Sequence, residues 1–351
     1  MGILSAFLVN DTIALLGIPI IIHISKKIIT GFNSKVLFIS LAFAISIGSV
    51  MTPIGNPQNL LVATTSNISL PFITFMKWLV IPTVINLVIT YFILRRYFRK
   101  DLLLMQKYYN NHNNNGIHTP FENKVSSTSS SAAPTNIIDN PHLAKVSVII
   151  LVVTIMGFII AEVIHLFFNV ATFSISIIAA FGATALYAVS KERREILFDV
   201  DYSVLVFFAA MFVFTSGLWS SGMVSMIISH IPNPTPVDND LLQTNAIISA
   251  TSIAMSQILS NVPFVALYNS VMVENGFMSN DVSQWMMLAA ASTIAGNLTI
   301  FGAASNIIII EAAESRGIKQ AFSFFDFLKV GSMVTASNIV VYYVFITFFI
   351  Q

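Results

Sequence analysis

The sequence contains no cysteine, which excludes disulfide staples, thiolate metal sites, cysteine nucleophiles and a thiol-based arsenite site. Charge is almost as scarce: 9% of the 351 residues are charged, 17 basic against 16 acidic. A nucleic-acid partner requires a clustered basic face, and none is present, so no nucleic acid is expected. His-Glu-x-x-His, Gly-x-Ser-x-Gly and Walker-type loops are also missing. Neither metal-assisted proteolysis nor ATP-driven pumping is therefore written into the chain, and no enzyme activity, catalytic residue or cofactor is expected. The first basic residues, Lys26 and Lys27, follow the first apolar run instead of preceding it, which is not the pattern of a secretory signal.

What the chain has instead is apolar length. Hydrophobic residues make up 56% of it, gathered in runs at approximately 3–24, 35–66, 70–94, 144–168, 171–190, 201–230, 241–278, 282–313 and 326–350. A soluble domain cannot hide such stretches, whereas a bilayer takes about 20 apolar residues per helical span. Open strands leave backbone groups unsatisfied in lipid, so the runs predict an all-α polytopic membrane protein, multi-pass in the plasma membrane. The interval 95–143 differs, with Asn110 to Asn115, Ser126 to Ser131 and several prolines, and reads as a cytoplasmic polar linker.

Basic residues orient the runs. Lys26 and Lys27, then Arg95, Arg96, Arg99 and Lys100, then Lys191, Arg193 and Arg194, then Arg316 and Lys319 are all expected on the cytoplasmic side. For that parity to hold, 241–278 must enter and leave on the outer side. It reads as a re-entrant hairpin with its tip at Ser260-Asn261-Val262-Pro263, where polar residues and a proline let the backbone turn. A proline-kinked spanning helix is the competing reading, and it breaks the parity.

Two apolar runs are interrupted by similar polar sequences, Thr52-Pro-Ile-Gly-Asn-Pro-Gln-Asn-Leu60 and Thr299-Ile-Phe-Gly-Ala-Ala-Ser-Asn-Ile307. At an offset of 247, Thr52 meets Thr299, Gly55 meets Gly302 and Asn59 meets Asn306. Upstream of each lies another asparagine, Asn10 in Asn10-Asp11-Thr12 and Asn261 in Ser260-Asn261-Val262, at spacings of 42 and 38 to the motif threonine. Hairpin followed by broken helix thus occurs twice, and charge parity makes the copies an inverted repeat with re-entrant hairpins and two discontinuous transmembrane helices, a secondary-transporter architecture. The expected division is 1–94 for the first repeat, 95–143 for the linker and 144–351 for the second repeat. Only nine residues precede Asn10, so by this symmetry the first repeat is N-terminally truncated, lacking about three spans and one hairpin limb.

At Gly55-Asn56-Pro57 the glycine permits a turn, the asparagine is a good N-cap and the proline suits the first helical position. A half-helix from Pro57 to about Thr65 then points its amides into the membrane interior, as Gly302 to Asn306 do in the second copy. Helix N-termini hold anionic groups without a buried arginine, so Thr52, Gly55, Asn56, Asn59, Thr299, Gly302, Ser305 and Asn306 are the candidate substrate-binding residues. Oxygens of Asn10, Asp11, Thr12, Ser260 and Asn261, with unwound carbonyls, form a candidate site for a coupling Na+, with H+ as the other coupling ion; no other metal is expected. The plainer reading is that these side chains only cap broken helices. Glu162 and His165, one turn apart near the end of a span, are expected at the interface.

At these motifs the sequence resembles the ion transporter superfamily of divalent anion:sodium symporters, citrate transporters and ArsB/NhaD permeases. Residues 51–62 look most like the ArsB-type permeases, and 295–311 look like their C-terminal counterpart. The resemblance implies two hairpins, two broken helices, a homodimer and an elevator-like movement of the hairpin domain. The superfamily's Ser-Asn-Thr tips map only partly onto Asn10-Asp11-Thr12 and Ser260-Asn261-Val262. The function expected is ion-coupled secondary transport of a small anionic solute of the citrate or dicarboxylate, oxyanion or arsenite class. A sodium/proton antiporter and a non-transporting truncated subunit are the alternatives.

Overall fold

The computed structural model describes residues 1–28, 35–103, 141–168, 174–190, 193–199, 202–223, 226, 240–318 and 321–350. Among these the secondary structure is helical, with no strand. Most of the expected linker, 104–140, lies outside the described residues, as do Lys191 and Lys319. The chain packs as two units, Met1–Gln106 with Phe208–Gln351, and Lys107–Phe207.

In the first unit the helices are α1 (Gly2–Ser5), α2 (Asn10–Ile28), α3 (Lys35–Gly48), α4 (Pro57–Thr65) and α5 (Pro71–Tyr97). Within 141–199 lie α6 (Pro141–Phe168), α7 (Ile175–Val189) and α8 (Arg193–Asp199), and α9 (Tyr202–Ser220) leads back to the first unit. There the chain continues as α10 (Leu241–Leu259), α11 (Asn261–Glu274), α12 (Val282–Ala295), α13 (Ala304–Glu314) and α14 (Phe324–Phe349). Among the described residues three helices, α5, α6 and α14, are long and apolar enough to cross a membrane unaided. At 1.5 Å per residue, α14 is about 39 Å long, whereas α12 reaches only about 21 Å and needs α13 beyond its break to complete a crossing.

Local chemistry sets the ends. Asn56 caps α4 by accepting from the Asn59 amide at 2.8 Å, with Pro57 at the first position. Asp240 caps α10 by accepting from the Leu242 and Gln243 amides at 3.1 and 3.2 Å, and Ser323 caps α14 through the Asp326 amide at 3.2 Å. Asp326 also meets Lys35, at the start of α3, at 3.1 Å.

Hydrogen bonds fix the run of 240–295. Asn245 donates to Ser283 Oγ at 3.0 Å, and Gln257 donates to the Ala295 carbonyl at 2.9 Å, so α10 and α12 lie side by side and parallel. The Trp285 indole donates to the Met278 carbonyl at 2.8 Å, which returns the end of α11 to the start of α12. The chain therefore reverses at Ser260, and both limbs of the α10–α11 hairpin end level with the N-terminus of α12. Its tip stops level with the break between α12 and α13. A single kinked helix through 241–278 does not describe this geometry.

The core forms around α12, where Ser283 and every residue from Trp285 to Ala295 are buried. A helix that is apolar all round belongs inside a bundle, and α12 packs on α10, α14, α4, α11, α3 and α5. α5 and α14 run antiparallel, joined by Thr83 to Tyr342 (2.6 Å), Asn86 to the Asn338 carbonyl (3.2 Å) and Thr90 to Asn338 Oδ1 (3.4 Å). Their other faces expose Ile81, Val84, Val88, Phe92, Val340 and Phe348, the apolar exterior that lipid requires. In the second unit α6 packs on α7 with Gly182 against Thr154, small residues letting the backbones approach. Glu162 on α6 is buried.

Candidate solute and ion site at two helix breaks

The two interruptions share their backbone. Thr52 has φ −134° and ψ 159°, and Thr299 has φ −131° and ψ 164°; Asn56 and Ala303, which precede the half-helices, are extended as well. Asn59 donates its amide to the Ser49 and Thr52 carbonyls at 3.2 and 3.0 Å. Asn306 donates to the Gly296 and Thr299 carbonyls, also ten and seven residues upstream, at 2.8 and 3.4 Å. Each asparagine holds the unwound strand of its break against the following half-helix, and so acts as a positioning residue. Unwinding starts at Ser49 in the first copy, earlier than the Gly55 turn alone implies.

Close approach requires Gly55 and leaves little room for a side chain at Gly302. A Cβ on Gly55 would lie 2.2 Å from the Ser49 carbonyl oxygen, and one on Gly302 would lie 3.0 Å from the Ala295 oxygen and 3.1 Å from Gln257 Oε1. Each hairpin docks on its own break. Thr52 donates to the Ala6 carbonyl beside the first tip, and Thr299 meets Gln257 Oε1 before the second tip at 2.8 Å. The returning limbs cross over: α2 packs on α13 and α11 packs on α4.

The saturation of the two breaks differs. In the first, Asn10 Oδ1 accepts from the Asp11 backbone amide at 3.0 Å and the Asn10 backbone N–H donates to the Gly55 carbonyl at 3.2 Å. Asn56 Oδ1 caps the Asn59 amide, and Asn59 Oδ1 accepts from Thr293 at 3.3 Å. Thr293 also lies 3.3 Å from the donating amides of Asn56 and Gln58, tying the first break to α12. In the second break Asn261 Oδ1, Asn306 Oδ1, Ser305 Oγ and both side-chain polar atoms of Asn297 are buried without a hydrogen-bond partner. Asn261 Nδ2 lies 2.9 Å from where a Gly296 Cβ would stand, and the Asn306 side-chain amide donates to the Gly296 carbonyl, so the side-chain nitrogens of both asparagines converge on Gly296. Ala303 occupies the position of Asn56, leaving α13 without a side-chain cap.

Ser260, at the second tip, has φ 63° and ψ 162°, a region natural to glycine and costly for serine. Asp11 is half-buried and Thr12 exposed; Thr12 is not drawn into the packed break with Asn10. Ser49, Gln58, Gln257, Thr293 and Gly296 escaped the sequence reading. Thr293 and Gly296 were findable, because at the offset of 247 they are the counterparts of Ser46 and Ser49, and Ser46 donates to the Thr293 carbonyl at 3.2 Å. Among the described residues of the first unit the buried polar side chains are all uncharged, so anion affinity has to come from backbone amides and cation affinity from neutral oxygens.

The family described as Citrate transporter matches residues 1–289. A protein named an uncharacterized transporter in Mycobacterium bovis is 28% identical over 341 residues, covering 95% of this chain and 72% of its own. A silicon efflux transporter of Oryza sativa subsp. japonica is 26% identical over 91% of this chain and 70% of its own. A protein carrying the transporter name arsB in Dictyostelium discoideum is 23% identical over 94% and 71%.

Proposed function

This chain belongs to the citrate transporter family, and from that premise we propose that it couples the movement of a small anion to a cation, with both held at the second helix break. It is a secondary transporter and a multi-pass membrane protein, not an enzyme. The observation that carries the finer reading is that the second break holds buried side-chain oxygens of Asn261, Ser305 and Asn306 with no hydrogen-bond partner. Buried polar atoms are rarely left unpaired, and amide and hydroxyl oxygens are the ligands a hard monovalent cation prefers. Asn261, Ser305 and Asn306 therefore hold Na+, and the uncapped N-terminus of α13 takes the anionic group beside it. Thr299 and Gly302 shape that pocket, with the strained Ser260 at the hairpin tip beside it.

The first break, built from Thr52, Gly55, Asn56 and Asn59 with Asn10 beside it, is the closed counterpart. Its amides and oxygens are already spoken for, and it engages solute only when the link from Asn56 and Gln58 to Thr293 opens. A dimer with the hairpin pair moving against a fixed partner follows from the same reading. The alternative of sodium/proton antiport is favoured by Asp11, a half-buried carboxylate at the first tip.

The test is flux into proteoliposomes under a Na+ or pH gradient, with citrate, succinate, sulfate and arsenite offered separately. Saturable uptake of one anion that requires the inward Na+ gradient supports symport at the second break. Cation exchange with no anion present replaces it with antiport, and no flux of any solute removes the transport mechanism proposed.

A further inference from the structure

An open pocket of about 430 Å³ lies among α4, α9 and α11, within the first unit and away from both breaks, with Phe212, Trp219 and Ser270 on its exposed rim and Asn269 buried at its base. Its α4 wall is Leu61 and Thr65, and Thr65 sits eight residues, about 12 Å, along the half-helix from Pro57. Six lining residues carry hydroxyl or amide groups: Thr65, Thr215, Ser216, Ser220, Asn269 and Ser270. The remaining lining includes the rings of Phe212 and Trp219, and none of it is ionisable.

Asn269 is the informative member. It is 2% exposed, donates its amide to Thr65 Oγ1 at 3.3 Å, and leaves Oδ1 with no hydrogen-bond partner. An amide oxygen withdrawn from water calls for a donor, and the cavity it lines is where a donor can stand. A charged ligand would find no counter-charge in this lining. A neutral ligand carrying several hydroxyl groups exchanges its water contacts for Ser, Thr and Asn partners while its C–H faces lie on Phe212 and Trp219. The volume is that of a small-molecule pocket.

We propose that this cavity is a binding site for an uncharged, polyhydroxylated small molecule, a ligand chemically distinct from the anion of the breaks. The proposal does not rest on the transport mechanism, because the site shares no residue with the second break.

The experiment titrates the full chain in lipid nanodiscs with sorbitol and follows tryptophan fluorescence. Trp219 lines the cavity, while Trp285 is fully buried elsewhere. The expected result is a saturable change that is absent in Trp219→Phe. Its apparent Kd rises at least tenfold in Asn269→Leu and is unaffected by saturating citrate. Thr65→Val and Ser216→Ala, each expected to raise Kd severalfold, replace Asn269→Leu if that variant does not fold. A linear, non-saturating response overturns the proposal, as does an unchanged Kd in the folded variants or displacement of sorbitol by citrate. Native mass spectra showing a co-purified lipid that is lost in Asn269→Leu overturn it in favour of a lipid site.

Discussion

Replacing Asn59 with alanine isolates what the breaks owe to their asparagines. Asn59 is fully buried, and its amide is within reach of three carbonyls, those of Ser49, Val50 and Thr52, at 3.0 to 3.3 Å. Two amide hydrogens serve them, so truncation strips the donor from at least two carbonyls that water cannot reach. Each buried group so abandoned costs about 1–3 kcal/mol, and the small void adds to it; partial relaxation of the unwound strand brings the expected total to about 2–4 kcal/mol. The single Thr293 hydroxyl hydrogen, shared between Asn59 Oδ1 at 3.3 Å and the Ala289 carbonyl at 2.8 Å, then goes to Ala289 alone, so it adds little. Denaturant unfolding in mixed micelles, followed by tryptophan fluorescence, measures the loss. Thr64→Ala, at an exposed hydroxyl bonded only within its own helix, is the control and should stay within about 0.5 kcal/mol of the parent. An Asn59→Ala protein as stable as that control would refute the positioning role.

Ser305→Ala removes a buried hydroxyl that has no partner, so stability should hold or rise slightly while the Na+ concentration for half-maximal uptake increases about tenfold, the equivalent of about 1.4 kcal/mol; unchanged Na+ dependence would remove Ser305 from the ion site. Gly55→Ala places a Cβ 2.2 Å from the Ser49 oxygen, and the folded yield in size-exclusion chromatography should collapse, whereas Gly217→Ala, with nothing within 4 Å, should be neutral. Ser260→Gly relieves the left-handed backbone at the second tip and should stabilise the protein by about 1 kcal/mol in the same unfolding assay, with slower flux if that strain helps the tip open.

The sequence by itself determined the class and the places where helices fail. Apolar runs of this length leave helices as the one economical structure in lipid, and Asn56-Pro57 declares a helix start inside such a run because a capping side chain and a ring-fixed φ act locally. The reversal near Ser260 was legible from charge parity, and the pairing of Thr52 with Thr299 and of Asn59 with Asn306 was legible from an offset. What only the tertiary structure decided is which break is satisfied. Whether Asn59 Oδ1 finds Thr293 while Asn306 Oδ1 finds nothing depends on a neighbour 234 residues away, and matching motifs cannot encode that difference. The same holds for the pocket at Asn269, whose walls come from helices distant in the chain and leave no local periodicity to read.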